Sequence, residues 1–95
     1  MKGLNIEQEK IVKNILKEFK DYNFFCYGSR VKGHFVKSSD LDILIKGTNP
    51  APVELIGEIK EIFYDSKLPF IVNIVDFYDL DKDFYERIKS DLVKI

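Results

Sequence analysis

Asp40 and Asp42 stand two positions apart at the start of the apolar run "DLDILI", with ten residues between them and the pair Gly28-Ser29. Side chains two apart on a strand share a face, so both carboxylates project one way while Leu41, Ile43 and Ile45 project the other. Carboxylates held that close oppose each other's ionisation unless a cation lies between them. Hard oxygen donors of this kind suit Mg²⁺ or Mn²⁺, which bind one or two carboxylates and complete their shell with water and substrate phosphate. A third carboxylate, Asp76, ends the apolar stretch "FIVNIVDF". If the two strands are neighbours, Asp76 completes a three-aspartate cluster able to hold two ions for phosphoryl or nucleotidyl transfer. Alone, Asp-x-Asp is equally a turn cap followed by a residue on a solvated face. It is not a calcium loop, because the residues after Asp42 are apolar and lack the glycine and closing glutamate of an EF-hand.

Gly28 and Ser29 supply a second clue. A glycine at a strand end lets backbone approach a phosphate, and Ser29 with the first N–H groups of a short helix can point at it. Arg30 offers a planar fork of donors to the same group if it turns inward, and Ser39 lies next to the aspartates. A Walker loop is excluded, since Gly33 is followed by His34 and Phe35, and no Gly-x-Gly-x-x-Gly occurs. His34 reads as a solvated loop residue. Tyr64, Tyr78 and Tyr85 read as packing or interface residues, with Tyr78 close enough to Asp76 to border a substrate.

The elements that must position these residues follow from the hydrophobic pattern. Ile11, Val12, Ile15, Leu16 and Phe19 recur at helical spacing from Asn5 onward, and Asn5 with Gln8 forms a capping-box signature. Phe24 to Tyr27 predicts a short buried strand ended by Gly28, and Asp40 to Ile45 a second, closed by "KGTNPAP". Pro52 opens a helix carrying Leu55, Ile56, Ile59, Ile62 and Phe63, ending near Ser66. Phe70 to Phe77 predicts a third strand from its β-branched density. Asp81 opens a last helix with Phe84, Tyr85, Ile88 and Leu92 inward. The order helix, strand, strand, helix, strand, helix predicts an α/β (α+β) layer pair, a small mixed sheet flanked by helices.

Size and charge narrow the classes. The 95 residues suffice for one compact core, so a single domain over 1–95 is expected. Fifteen basic against sixteen acidic residues give no charge excess to attract nucleic acid. No apolar run nears the roughly 20 residues of a membrane span, and the N-terminus lacks a signal-peptide core, so a cytoplasmic location is expected. The lone Cys26, inside an apolar run, reads as a buried thiol.

The combined pattern "GSRVKGHFVKSSDLDILI" resembles the signature of the DNA polymerase beta-like nucleotidyltransferase superfamily. More narrowly, it is similar to the minimal nucleotidyltransferases that act as antitoxins of HEPN-domain toxins. The resemblance runs through the leading helix, the motif, "IVDF" and the closing "LDKDFYERIKSDLVKI". It implies transfer of a nucleoside monophosphate, usually AMP from ATP, to an acceptor hydroxyl, in the antitoxin group a tyrosine of the partner toxin. On that resemblance Asp40 and Asp42 ligate both Mg²⁺ ions, Asp76 ligates the catalytic ion and helps deprotonate the acceptor, and Gly28 and Ser29 hold the triphosphate with Arg30 and Ser39 nearby. Larger relatives carry a second lobe, so another chain, a toxin or a second copy in a homo-oligomer, is expected to supply that wall. A non-catalytic antitoxin that occludes its partner is the competing expectation.

Overall fold

A computed structural model describes Met1 and residues 3–95 of the chain. The first helix, α1 (Ile6–Leu16), begins at the expected box: Gln8 N–H donates to Asn5 Oδ1 at 2.8 Å and Asn5 N–H to Gln8 Oε1 at 3.1 Å. Strand β1 (Asn23–Tyr27) runs into the four-residue helix α2 (Ser29–Lys32), which Gly33 ends in the left-handed conformation at φ 85°. Strand β2 (Leu41–Lys46), helix α3 (Val53–Tyr64) and strand β3 (Val72–Asp76) follow. Helix α4 (Lys82–Ile88) and strand β4 (Val93–Lys94) close the chain.

The sheet is mixed, in the order β3-β2-β1-β4. β1 lies antiparallel to β2 and β4, whereas β2 and β3 are parallel, as a pair joined through a crossover helix must be. One sheet face buries Phe24, Cys26, Leu41, Ile43, Ile45 and Ile74 against Val12 and Leu16 of α1 and Ile59 and Phe63 of α3. Each such aliphatic side chain contributes about 1.5–3 kcal/mol when fully removed from water. The opposite face carries Tyr27, Asp42, Leu44 and Asn73, since strand residues alternate. α4 reaches this face through Phe84, whose ring meets Tyr27 edge-on at 6.1 Å.

Two departures from the sequence pattern concern the ends of elements. The third strand is shorter than Phe70–Phe77, because Phe70 is drawn under Arg30 at 3.9 Å and Phe77 enters a 3-10 turn capped by Asp76. Leu92 does not extend the last helix. After Ile88 the chain passes through a 3-10 turn, and Val93 and Lys94 pair with Cys26 and Phe25, closing the free edge of β1. Among the described residues, no helix is long and apolar enough to cross a membrane.

Candidate active site

The parity of β2 decides what its aspartates see. Leu41, Ile43 and Ile45 are fully buried beneath the helices, which turns Asp42 to the other face. Asp40, exposed just before the strand, joins it there, because one nitrogen bonds both: Asn73 Nδ2 donates to Asp40 Oδ2 at 3.1 Å and to Asp42 Oδ1 at 3.0 Å. The expected pair is therefore formed, and its oxygens converge on a single point. On the β1 side Asp42 is backed by Gly28. A Cβ built at Gly28 would stand 2.5 Å from Asp42 Oδ2, and Gly28 also has φ 84°, a conformation open to glycine. The turn and the carboxylate are packed together. Beyond it, Val31 and Lys32 N–H both return to Gly28 O, so the earlier N–H groups, of Ser29 and Arg30, have no intrahelical acceptor.

Asp76 does not join the cluster. The parallel register sets Asn73 beside Asp42 and Asp76 beside Ile45. Position 76 is three places on from 73, an odd offset, so Asp76 projects to the helix-covered face and lies at the far end of the strand. There it is buried and accepts N–H bonds from Ala51 at 2.6 Å and Tyr78 at 3.0 Å, tying the entry of α3 to the end of β3. Among the described residues, no group of three His, Cys, Asp or Glu converges as a metal cradle.

Arg30 is the second correction. Its guanidinium, only 3% exposed, donates to the carbonyls of Gly3 (2.7 Å), Ser39 (2.8 Å) and Lys37 (2.9 Å), and lies over the Phe70 ring. Burial lowers its pKa from the ordinary value. Its donors are committed to the loop that delivers Asp40, so it shapes the site rather than reaching a phosphate. The Ser39 hydroxyl is likewise engaged, accepting from Val36 N–H at 2.9 Å. The Tyr78 hydroxyl donates to Gly47 and Thr48 carbonyls, away from the aspartates. His34 is exposed in the loop after α2. Cys26 is fully buried, and burial first, then the charge of Asp42, pushes its thiol up to about 12, as befits a thiol packed in the core.

Asn73 is the residue that sequence reasoning missed. "FIVNIVDF" contains two polar positions of opposite parity, and the one sharing a face with Asp42 is fixed only by strand register. From Asp40 and Asn73 a groove of 760 Å³ runs along the start of β3 and the end of α3, past Lys60, Phe63, Tyr64 and Ile71. As a donor set, two converging carboxylates plus an amide, whose oxygen becomes a ligand when the group turns over, fit a hard divalent cation.

A mixed sheet with a glycine turn packed on an Asp-x-Asp strand has the form of the polymerase beta-like nucleotidyltransferase fold. Residues 9–95 match the model of the nucleotidyltransferase domain family, and the chain belongs to that family. It is 39% identical over 95 residues to "Probable protein adenylyltransferase MntA" of Haemophilus influenzae, across 97% of this chain and 83% of that protein. A Sulfolobus solfataricus crystal structure described as a nucleotidyltransferase shares the fold, with TM-score 0.51 and 22% identity over 90% of this chain and 73% of that one.

Proposed function

We propose that this nucleotidyltransferase moves AMP from ATP, with Mg²⁺ or Mn²⁺, onto a hydroxyl of a protein partner, and that the partner is a HEPN-like toxin modified on tyrosine, making the chain an antitoxin. The observation that carries the reading is the convergence of Asp40 and Asp42 on one point, directly against the Gly28 turn. The similarity to a protein adenylyltransferase supports the adenylyl group and the protein acceptor. The motif's resemblance to the antitoxin group supports the toxin.

In this reading the Ser29 hydroxyl and the N–H groups of Ser29 and Arg30 receive the triphosphate, and Asp40 and Asp42 hold the cation, which neutralises charge on the phosphates. The acceptor oxygen forms a bond to the α-phosphorus as the bond to the α,β-bridging oxygen breaks. Pyrophosphate leaves with that electron pair, and the hydroxyl proton passes by way of the exposed Asp40 to solvent. Attacking and leaving oxygens lie roughly in line on opposite sides of the phosphorus. β2 stands between β1, which carries the phosphate turn, and β3. With pyrophosphate on the β1 side, the acceptor enters from the β3 side, where the groove begins at Asp40 and Asn73. Tyr64 and Ile71, 89% and 66% exposed, give that entrance an apolar rim of the kind protein partners cover.

One observation favours the second reading, neutralisation by occlusion: position 73 carries an amide where a third carboxylate would serve transfer. The two are separated by incubating the chain with α-labelled ATP, Mg²⁺ and a HEPN-domain toxin. Label on the partner, lost in Asp42→Asn, supports transfer. Rescue of growth by an Asp42→Asn chain that transfers no label supports occlusion.

A further inference from the structure

Asn73 occupies the third corner of the site with a neutral group. Its Nδ2 spends both hydrogens on the aspartates, one to Asp40 Oδ2 and one to Asp42 Oδ1. The corner therefore carries two negative charges, not three. Among the described residues, no third carboxylate joins the two. Asp76 lies on the opposite sheet face, bonded to Ala51 and Tyr78 N–H, and no three metal-ligating side chains converge among the described residues. Two nearby cations are engaged elsewhere: Arg30 is committed to three backbone carbonyls, and Lys46 lies over the Phe77 ring at 4.4 Å.

This arrangement has a chemical limit. One Mg²⁺ or Mn²⁺ is adequately held by two carboxylates and the oxygens of a triphosphate. A pair of ions roughly 3.5–4 Å apart repel each other and need carboxylates that bridge or flank them on both sides. On the β3 side, where the acceptor arrives, only an amide is available. An amide oxygen is a neutral ligand, and an amide takes no proton from an entering hydroxyl.

We propose that the chain binds its nucleotide with a single divalent cation, held by Asp40 and Asp42, and that Asn73 is a positioning residue that cross-links the two carboxylates while providing no seat for a second ion. The inference rests on the nucleotide-binding reading of this site. It makes position 73 the control point of ion number: a carboxylate placed there completes a three-anion corner without altering the Gly28 turn.

The test counts tightly bound Mn²⁺ by electron paramagnetic resonance in the complex of the full chain with the non-hydrolysable α,β-methylene analogue of ATP. The wild-type complex is expected to hold one ion and Asn73→Asp two. Asn73→Ser, which removes the amide but adds no charge, is expected to stay at one, and it covers the case in which the third carboxylate unfolds the chain. Two ions in the wild-type complex, two in Asn73→Ser, or one in a folded Asn73→Asp complex would each overturn the inference while leaving nucleotide binding in place. Failure of the wild-type chain to form any complex with the analogue would instead remove the nucleotide reading, and the inference with it.

Discussion

Gly28 and Asp42 are in direct contact across the β1–β2 pair: a methyl group on Gly28 would stand 2.5 Å from Asp42 Oδ2, far inside van der Waals distance. Backbone conformation and side-chain packing thus make the same demand at one position, since φ at Gly28 is 84°. Gly28→Ala is expected to cost about 1–3 kcal/mol from the conformational term alone. It should also weaken Mg·ATP binding by tenfold or more, by displacing the Asp42 carboxylate from Asp40. Urea unfolding and calorimetric titration of the variant check both effects. Wild-type nucleotide affinity in a folded Gly28→Ala chain would mean that this contact does not shape the site.

Arg30 is expected to act on stability before chemistry. Arg30→Lys keeps the charge but gives up the planar fork that reaches three carbonyls on separate segments, Gly3 and the 37–39 loop. Loss of two of these charge-assisted bonds from a buried site costs about 3–6 kcal/mol. The urea midpoint should fall accordingly, with nucleotide affinity reduced because the loop that carries Asp40 loosens. An unchanged midpoint would show that the fork is not holding the loop.

Asp76→Asn separates a structural carboxylate from a catalytic one. The carboxylate accepts from Ala51 and Tyr78 N–H with different oxygens, and an asparagine would turn its NH₂ group toward one of these donors. A buried donor left without an acceptor costs about 1–3 kcal/mol. Thermal unfolding is therefore expected at lower temperature in Asp76→Asn. A melting temperature equal to wild type would place Asp76 outside the support of the loop into α3.

Alkaline pH should destabilise the fold through Cys26 and Tyr27. Burial raises the Cys26 thiol from an ordinary value of 9.0 to about 12, and burial and Asp42 raise the Tyr27 phenol. Both groups ionise more easily in the unfolded chain, which then holds fewer protons than the folded one. Stability is full below the unfolded values and declines as pH rises from about 9 toward the folded values. The urea midpoint should drop between about pH 7.5 and about pH 10.5, and the thiol should resist alkylation until the chain unfolds. A midpoint that is flat across this range, or rapid alkylation of the folded chain, would contradict the buried setting of both groups.

Much of the fold was legible because local signals agreed with tertiary ones. Asn5 and Gln8 announced the first helix, Pro52 the third, and the burial of Leu41, Ile43 and Ile45 required Asp42 to face away. The pair Asp40 and Asp42 and the Gly28 turn were legible for the same reason, each being set within a short segment. Asp76 was misassigned because its relation to Asp42 crosses two strands. Alternation along β3 gives two faces, but only the register with β2 says which polar residue meets the aspartates, and that register put Asn73 there. Arg30 was misassigned because its partners are backbone carbonyls, which sequence does not display. β4 was missed because two residues carry no periodicity, and their pairing is decided by the open edge of β1.

The location of the nucleotide site is tested most directly by titrating Mg·ATP into Asp42→Asn and Asp76→Asn side by side, below the melting temperature of both. Both substitutions remove one negative charge and are nearly isosteric, and both positions lie on adjacent strands of one sheet. Binding is expected to be lost in Asp42→Asn and to match wild type in Asp76→Asn, because Asp42 converges with Asp40 beside the Gly28 turn while Asp76 lies on the other face. Loss of binding in Asp76→Asn with retention in Asp42→Asn would contradict the site built here.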